Sequence, residues 1–437
     1  MPNAVLVRDL SHHVGEEVTV RGWLYNSRRH KKVRFLILRD GTGLLQCVAY
    51  QPKLDDTTWA AAEEATQEAS LEVTGTVNPV PEGKFAPGGV ELDVHEIRVI
   101  QTPTEEYPIA PQEHGVDFLM RHRHLWLRSQ RQWHIQRVRN ETIFALRRFL
   151  YERGFLCFDS PILTGSIGET AGTLFEVPYF DLGTAYLAQT GQLYLEAAIF
   201  AHRNVYCFGP TFRAEKSKTR KHLTEFWMLE GEMAFSDHDE SLQLQDDLVA
   251  HTVRWVLERC PADLQELERP LEPLERAAEG GFERLLYRDA VKLLQQKGSA
   301  IEFGEDLGAP DETILGETFD RPVFVCNYPR EAKAFYMKRN PDDPETVLCA
   351  DLIGTEDHGE LIGGSAREDD LDLLTARITE MGLPLETYAW YLDLRRYGSV
   401  PHAGFGLGLE RLVKYLCGLQ HIREAACFPR MMEKLYP

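Results

Sequence analysis

The segment FRAEKSKTRKHLTEF, residues 212–226, carries the strongest indication of fold in this chain. Its two flanks, NVYCFGPTF (204–212) and FWMLEGEMAF (226–235), are rich in apolar and aromatic residues and predict two strands joined by a long loop. The loop is basic, although the chain has 48 Lys and Arg against 68 Asp and Glu, a net charge of −20. This contrast argues against bulk adhesion to nucleic acid or membrane and indicates a local site for an anionic ligand.

The residue types in this hairpin suit a nucleotide. Arg213 can offer its planar fork to a phosphate, Glu215 can accept from an exocyclic amine, and Phe226 can stack on a base. Alone, R-x-E is equally typical of a surface hairpin with a solvated charged turn. The segment GFGLGLERL (404–412) adds support, because its glycines allow close approach of the backbone and Arg411 opens a predicted helix. Its spacing does not match the dinucleotide-binding fingerprint.

Composition limits the class of protein. A length of 437 residues predicts two or three domains, and the 43% hydrophobic and 27% charged contents are those of a soluble globular protein. No apolar run approaches the length of a membrane span, and no signal peptide is present. The eight cysteines are scattered without a C-x-x-C pair, which indicates reduced thiols in a cytosolic protein. We therefore expect a cytoplasmic protein without a membrane partner.

The N-terminal region predicts a small β-barrel. Strand-like runs over 17–50, a helical stretch around 57–68 and two further strands amount to five strands and one helix within about 100 residues. Basic residues 28–34 precede Phe35, an arrangement that supplies cations for phosphates and a flat face for a base. A solvated edge strand explains the same pattern equally well. Residues 101–115 indicate a linker, and residues 121–154 predict one long amphipathic helix that ends at Gly154.

Three segments together resemble a known family. The segments GF…P at 154–161, FRAE at 212–215 and GLGLER at 406–411 resemble, in order, motifs 1, 2 and 3 of the class II aminoacyl-tRNA synthetases. The barrel followed by RHRHLWLR (121–128) is similar to the aspartyl, asparaginyl and lysyl subgroup. The resemblance covers essentially the whole chain.

The resemblance implies an α+β fold with two domains. An anticodon-binding OB-fold domain is expected over 1–103, a linker over 104–120, and a class II catalytic domain over 121–437. The catalytic domain is expected to be an antiparallel sheet flanked by helices. Motifs 1, 2 and 3 are expected at about 128–161, 203–235 and 402–420, and motif 1 is expected to form a C2 homodimer interface.

Four segments distinguish the amino-acid substrate. Aspartyl enzymes typically have Q-S-P-Q-L-x-K where this chain has QTGQLYL (189–195), so Leu195 replaces a lysine. Burying an unpaired carboxylate is costly, and loss of the lysine favours a neutral amide. EFWMLEGE (225–232), KAFYMK (333–338) and GELIGGSARE (359–368) also resemble asparaginyl enzymes. However, RAE…RKHLTEF is shared with archaeal and eukaryotic aspartyl enzymes.

Three alternatives remain at this point. One is an aspartyl-tRNA synthetase, including one that charges both tRNAs. Another is an asparagine synthetase paralogue, although such paralogues lack the anticodon domain. The third is a non-enzymatic RNA-binding module, which would be expected to have lost Arg213 or Arg411.

The activity implied by the resemblance has two steps. L-Asparagine attacks the α-phosphate of ATP to give asparaginyl-adenylate and pyrophosphate, and the acyl group then passes to the 3′-OH of the terminal adenosine of tRNA(Asn). No protein nucleophile is needed, so catalysis consists of positioning and charge stabilisation. The implied catalytic residues are Arg213, Glu360 and Arg411.

The resemblance also implies the binding residues. Those expected to bind ATP are Arg213, Glu215, His222, Phe226, Glu360 and Arg411. Those expected to bind the amino acid are Glu169, Gln192, Arg213, Glu225 and Arg367, with Glu225 accepting from the side-chain amide. Mg²⁺ is expected on Asp351 and Glu360, although their spacing is longer than is usual in the family. The residues expected at the anticodon are Arg28, Phe35, Gln46 and Glu91. Each has an ordinary alternative, such as a surface ion pair or, for Phe35, barrel core.

Overall fold

The chain forms two compact units. The computed structural model describes residues 4–80, 83–110, 112–165, 174–216 and 219–437. The units are Met1–Gly115 and Val116–Pro437, so the division falls within the predicted linker 104–120. No helix in these described ranges is long and apolar enough to cross a membrane.

The first unit contains a closed five-stranded barrel with strand order β1-β2-β3-β5-β4, which confirms the predicted OB-type fold. The side chain of Asp40 accepts from the backbone N–H groups of Thr42 and Gly43, which makes the turn between the second and third strands. The side chain of Asp55 accepts from Thr58 N–H and caps the helix. The elements are β1 (Glu17–His30), β2 (Val33–Arg39), β3 (Leu44–Tyr50), α1 (Asp56–Glu64), β4 (Ser70–Pro79) and β5 (Val90–Gln101).

The second unit is built on an eight-stranded sheet with helices packed against it. Its strands are β6 (Leu156–Cys157), β7 (Leu163–Thr164), β8 (Glu176–Pro178), β9 (Thr184–Leu187), β10 (Asn204–Phe212), β11 (Glu225–Ala234), β12 (Glu283–Leu286), β13 (Val323–Cys326), β14 (Cys349–Gly354), β15 (Gly359–Ala366) and β16 (His402–Gly408). Its helices are α2 (Val116–Arg121), α3 (Arg123–Trp126), α4 (Gln130–Glu152), α5 (Gln192–His202), α6 (His238–Arg259), α7 (Pro261–Glu266), α8 (Glu272–Ala278), α9 (Tyr287–Gln296), α10 (Ala309–Thr318), α11 (Leu371–Glu380), α12 (Ala389–Arg396) and α13 (Leu409–Cys417).

The large sheet is antiparallel in its centre and parallel at both edges. Its strand order is β12-β13-β14-β15-β16-β11-β10-β6, and a separate small sheet has the order β7-β9-β8. The pairs β12–β13 and β10–β6 are parallel. The predicted antiparallel sheet is therefore found at the centre, and the two parallel edge pairs make the whole sheet mixed. The predicted hairpin of β10 and β11 is confirmed, with Phe212 opposite Glu225.

The predicted long helix is divided. Residues 121–154 were expected to form one helix, but α4 begins only at Gln130. Ser129 has an extended backbone, and its hydroxyl accepts from Gln132 N–H at 3.3 Å. A serine N-cap of this kind competes with continuation of the helix. At the other end the expectation holds, since Gly154 has φ of 76° directly after α4.

Strand alternation decides which side chains reach the site. Leu229 of β11 and Phe405 and Leu407 of β16 belong to the large core cluster, together with residues of α4, α6 and α13. Successive side chains of a strand point to opposite faces. The even-numbered residues of these two strands therefore lie on the face of the sheet that the core helices do not cover.

Candidate active site

The open face of the central strands is shaped by glycines. Glu230 of β11 pairs with Gly406 of β16, and Glu232 pairs with Gly404. A Cβ added at Gly404 would overlap the Glu232 carboxylate, and one at Gly406 would lie 2.5 Å from Cε of Met228. The glycines, predicted to allow close approach of backbone, thus leave volume above β16 for the long side chains of β11 and for the cavities beside them.

A first cavity brings together all the side chains predicted to bind ATP. The guanidinium carbon of Arg213 lies 5.4 Å from the centre of the Phe226 ring. The pKa of His222 is lowered, by burial and by the cation of Arg411. These residues line the cavity: Arg213, Glu215, His222, Phe226, Glu360 and Arg411.

The charges of this cavity are arranged for an anion. Arg411 donates through Nη1 to the backbone carbonyl of Glu360 at 2.9 Å and to its carboxylate at 3.0 Å. Burial raises the pKa of Glu360, but Arg411, Lys333 and Arg213 together bring it below its ordinary value. Nε of Arg213 is buried and has no hydrogen-bond partner among the described residues. A buried, unpaired guanidinium donor favours a phosphate or carboxylate oxygen.

A second cavity adjoins the first and shares Arg213, Met228, Glu360 and Gly406 with it. Of the side chains predicted to bind the amino acid, three line it: Gln192, Arg213 and Arg367. Glu169 lies outside the described residues. The two cavities therefore place three of the five predicted amino-acid residues next to the predicted nucleotide residues, and Arg213 lines both cavities.

The structure does not bring Glu225 into this group. Glu225 is exposed, and its backbone pairs with Phe212 and with Arg430. It differs by one position from Phe226 and therefore points to the opposite face of β11. Glu230 lies on the face of Phe226 and lines the second cavity. Counting in steps of two from Phe226 would have identified Glu230 from the sequence alone.

Glu230 is held by the two residues that precede the N-terminus of α5. Its carboxylate accepts from the backbone N–H of Gly191 at 2.7 Å and from the hydroxyl of Thr190. Leu195, expected beside the substrate side chain, instead packs in a buried cluster with Val205 and Cys207. Leu195, at the position where aspartyl enzymes have a lysine, is therefore buried among apolar side chains. The side chain that faces the second cavity is the acidic Glu230.

Arg367 is anchored from behind the cavity. It is 3% exposed, and its fork meets the carboxylate of Glu232, which is fully buried. Its Nη1 also donates to the hydroxyl of Ser365 at 2.6 Å. Burial raises the pKa of Glu232 to about 7, against the opposing effect of Arg367. Sequence reasoning missed Glu232, which shares the even-numbered face of β11.

A β-bulge places the two predicted metal ligands on one face. Asp351 pairs with Gly363, but Ile353 pairs with Glu360, so Leu361 is an extra residue in β15. Without it, Glu360 would point to the opposite face. A Cβ at Gly363 would lie 2.9 Å from Glu360 Oε1 and 3.3 Å from Asp351 Oδ1. The bulge accounts for the long spacing in the sequence.

The two carboxylates suit Mg²⁺. This ion commonly takes one or two carboxylates and completes its shell with water and phosphate oxygens. Within the described ranges no cluster of three or more His, Cys, Asp or Glu side chains could hold a metal ion. Burial raises the pKa of Asp351 to about 6, while Lys333 opposes it by donating to Oδ2 at 2.8 Å. Lys333 lies in the quoted segment KAFYMK but was not predicted as a site residue.

The four side chains predicted at the anticodon form one cluster on the barrel. Arg28 is opposite Phe35 in the β1–β2 ladder, and its guanidinium carbon is 4.7 Å from the ring centre. Arg28 donates to Gln46 Oε1 at 3.4 Å, and Gln46 donates to Glu91 at 3.1 Å. Phe35 is half-buried and Arg28 exposed, so an aromatic face and a cation lie together at the barrel surface.

Comparisons with known proteins agree with this architecture. A family model described as class II tRNA synthetases (D, K and N) matches residues 115–432, and a model of the OB-fold nucleic acid binding domain matches residues 18–100. An asparagine–tRNA ligase of Thermus thermophilus is 52% identical over 99% of this chain and 100% of its own length. One of Chloroflexus aurantiacus is 51% identical over 100% of this chain and 99% of its own length.

A solved structure gives the same result. The asparaginyl-tRNA synthetase of Pyrococcus horikoshii, crystallised with asparaginyl-adenylate, has a TM-score of 0.94 and 44% identity. The match covers 98% of this chain and 97% of that structure. The paired cavities, the barrel and these similarities lead to one conclusion: the chain belongs to the class II tRNA synthetases of the aspartate, lysine and asparagine group.

Proposed function

We propose that this chain is an asparagine–tRNA ligase that forms AMP. It activates L-asparagine with ATP and transfers the asparaginyl group to the 3′-OH of the terminal adenosine of tRNA(Asn). The observation that carries the proposal is the 51–52% identity, over nearly the full length of both chains, with relatives named as asparagine–tRNA ligases. The barrel supports it against an asparagine synthetase paralogue, and Arg213 and Arg411 support it against a non-enzymatic RNA-binding protein.

The first cavity binds ATP in this proposal. Phe226 stacks on the adenine ring, and Glu215 accepts from its exocyclic amine. Arg213 binds the α-phosphate and the asparagine carboxylate, so that the carboxylate oxygen is held in line with the bond to pyrophosphate. Arg411 covers the ring from its other side and, with His222, binds the far end of the phosphate chain. Arg213 and Arg411 thus stabilise the charge that develops as pyrophosphate leaves.

The second cavity binds asparagine. Gln192 accepts from the α-ammonium group, as does Glu169. Arg367 donates to the side-chain carbonyl. Glu230, in place of Glu225, accepts from the side-chain amide, because it lies on the face of β11 that lines the cavity. An acidic group at this position repels an aspartate side chain and accepts from the amide of asparagine, which gives a physical basis for selectivity.

The two carboxylates beside Gly363 hold Mg²⁺ in this proposal. When bound to Asp351 and Glu360, the ion supplies neutralising charge to the phosphates of ATP. Glu360 also positions Arg411 through the two hydrogen bonds described above. Glu360 would therefore both bind the metal ion and hold the Arg411 guanidinium in place. Lys333 compensates the charge of Asp351 from the other side.

The remaining assignments concern tRNA and assembly. Phe35 and Gln46 read the central anticodon base by stacking and hydrogen bonding, Arg28 contacts phosphate and Glu91 contacts a neighbouring base. The domain limits are 1–103 for the anticodon-binding domain and 121–437 for the catalytic domain, with a linker between them. The enzyme acts in the cytoplasm as a homodimer that associates through motif 1.

ATP–pyrophosphate exchange tests the proposal. The expected result is exchange with asparagine in the absence of tRNA, followed by esterification of tRNA(Asn) when it is added. Exchange with aspartate instead of asparagine would assign the chain to the aspartyl enzymes, and comparable exchange with both would indicate a non-discriminating enzyme. Amidation of aspartate without tRNA charging would identify an asparagine synthetase paralogue.

A further inference from the structure

The carboxylate of Glu196 is the centre of a buried polar network behind the second cavity. Glu196 has no exposed surface and accepts from four side chains. Tyr391 donates to it at 2.7 Å, Arg395 Nη2 at 2.8 Å, His402 Nε2 at 2.9 Å and Gln192 Nε2 at 3.0 Å. Burial raises the pKa of Glu196, but Arg395 and His402 bring it far below its ordinary value. Glu196 is therefore an ionised acceptor.

His402 lies between two oxygen atoms, which fixes the position of its ring. Nδ1 lies 2.8 Å from the backbone carbonyl of Val400, and Nε2 lies 2.9 Å from Glu196 Oε2. Both ring nitrogens therefore lie at hydrogen-bond distance from oxygen atoms, which fixes the orientation of the ring. The 3.4 Å separation of Arg395 Nη2 and His402 Nε2 follows from their convergence on the same carboxylate oxygen. Arg395 and His402 thus hold the Glu196 carboxylate in place.

The network determines which end of the Gln192 amide faces the cavity. A carboxylate only accepts hydrogen bonds, so Gln192 must turn its NH₂ group toward Glu196. Its carbonyl oxygen is then directed to the second cavity, which Gln192 lines. In the reverse orientation the NH₂ group would face the cavity and the carbonyl oxygen would face a carboxylate. In that orientation the carbonyl oxygen would be repelled by the Glu196 carboxylate, and the NH₂ group would be repelled by a cationic group of the ligand.

We propose that Glu196, clamped by Arg395 and His402, is a positioning residue for the α-ammonium group of the substrate, because it presents the carbonyl oxygen of Gln192 to that group. The inference rests on the proposed function, in which the second cavity binds asparagine. It assigns a role to a charged cluster that touches no substrate. Glu196 acts only through the orientation of Gln192.

Two substitutions separate this role from a purely structural one. Glu196→Gln removes the charge that orients Gln192. Glu196→Asp keeps a carboxylate in the network but shortens the side chain by one methylene group, which moves the carboxylate away from Gln192. Asp263→Asn is the matched control. Asp263 is also a buried carboxylate, 3% exposed, that accepts from a histidine and an arginine, His134 at 2.8 Å and Arg137 at 2.9 Å.

The experiment compares asparagine with succinamic acid, which is asparagine without its amino group. Both are measured in the ATP–pyrophosphate exchange assay, the first as substrate and the second as competitive inhibitor. In both Glu196 variants the KM for asparagine should rise by about 10-fold or more, the range expected for a hydrogen bond to a charged group. The inhibition constant of succinamic acid and the KM for ATP should stay within about twofold, because neither depends on the ammonium contact.

The opposite results are equally clear. Equal weakening of asparagine and succinamic acid, or an unchanged KM for asparagine, would overturn the proposal. The Asp263→Asn variant should not change the ratio of the two constants, whatever it does to stability. If Glu196→Gln does not fold, Glu196→Asp carries the test. Absence of asparagine-dependent exchange in the wild-type enzyme would instead refute the proposed function, so the two failures are distinguishable.

Discussion

Arg411 and Glu360 are joined by two hydrogen bonds from a single nitrogen. Nη1 of Arg411 donates to the backbone carbonyl of Glu360 at 2.9 Å and to its carboxylate at 3.0 Å. The bonds tie the first turn of α13 to strand β15 and fix the plane of the guanidinium group at the wall of the first cavity. The guanidinium is therefore oriented before a ligand arrives, which reduces the entropy lost on binding.

We expect Arg411→Lys to impair ATP use. A lysine keeps the charge but has neither the planar fork nor the face that covers a ring. The kcat/KM for ATP in pyrophosphate exchange should fall by about 100-fold, the scale of losing an oriented charge-stabilising group. The half-buried Arg276, which lines neither cavity and pairs with Glu272 one helical turn away, provides the control Arg276→Lys. A kcat/KM for Arg411→Lys equal to that of the control would contradict the assignment.

Glu230 and Glu225 provide a matched pair on one strand. Glu230→Gln should raise the KM for asparagine by about 10-fold or more, because it removes a charged acceptor for the side-chain amide. It should also reduce the discrimination against aspartate, since the repulsive charge is lost. Glu225 lies on the opposite face of β11, so Glu225→Gln should leave the KM for asparagine and the discrimination against aspartate within about twofold of the wild-type values. The reverse pattern in steady-state exchange kinetics would restore the role that the sequence predicted for Glu225.

The barrel cluster should affect tRNA without affecting adenylation. Phe35→Ala removes the proposed stacking surface, and stacking of a base on an aromatic ring contributes about 1–3 kcal/mol. The kcat/KM for tRNA should therefore fall by about 10-fold or more, while asparagine-dependent pyrophosphate exchange is retained. Phe85→Ala is a suitable control, because Phe85 lies in the same unit and is 87% exposed. A loss of exchange activity in Phe35→Ala would show that the substitution acts on folding instead.

His358 should make stability fall in mild acid. Burial lowers the pKa of His358 to about 4, and Lys414 donates to its Nδ1 at 3.2 Å. In the unfolded chain a histidine has a pKa of about 6.5, so below that pH the unfolded state binds a proton that the folded state rejects. The stabilisation is complete above pH 6.5 and is lost as the pH falls toward 4.

This pH dependence can be measured with one variant. Between pH 7 and pH 5 His358 should lower the unfolding free energy of the wild-type protein by about 2 kcal/mol. The loss begins at the unfolded pKa of about 6.5, so it covers about 1.5 pH units at about 1.4 kcal/mol per unit. His358→Asn should show a correspondingly shallower decrease in urea denaturation, although it starts from a lower stability. Parallel decreases in the two proteins would mean that His358 is not the responsible group.

Local patterns were sufficient to predict much of the fold. The barrel follows from alternating strands and turn residues such as Asp40, and the hairpin of β10 and β11 follows from two apolar runs around a basic loop. The six side chains predicted to bind ATP were identified by resemblance to family motifs, and the structure brings them to one cavity although Glu360 and Arg411 are distant in sequence from the hairpin. The error at Ser129 is also local, since an N-capping serine could have been recognised within the helical pattern.

The second cavity was harder to predict because its walls come from distant segments. Lys333 meets Asp351, and Glu196 meets Arg395 and His402, only after the sheet has assembled. Nothing in the sequence near Glu196 marks it as the acceptor of a buried network. Glu225 is a different case, because the structure does not place it at the second cavity, and the alternation of β11 from Phe226, which points to Glu230 instead, was present in the sequence.

The extra residue at Leu361 has a consequence for how relatives of this site should be recognised. Deleting one residue between Glu360 and Gly363 would send the Glu360 carboxylate to the helix-covered side of the sheet. Lengthening the turn at 355–358 would leave both carboxylates where they are. The number of residues between Asp351 and Glu360 can therefore vary freely in the turn at 355–358. Within the paired part of β15, residues can be added or removed only in even numbers if Glu360 is to stay on the same face. A search pattern that demands one fixed interval would discard functional members, whereas one that scores odd and even positions would retain them.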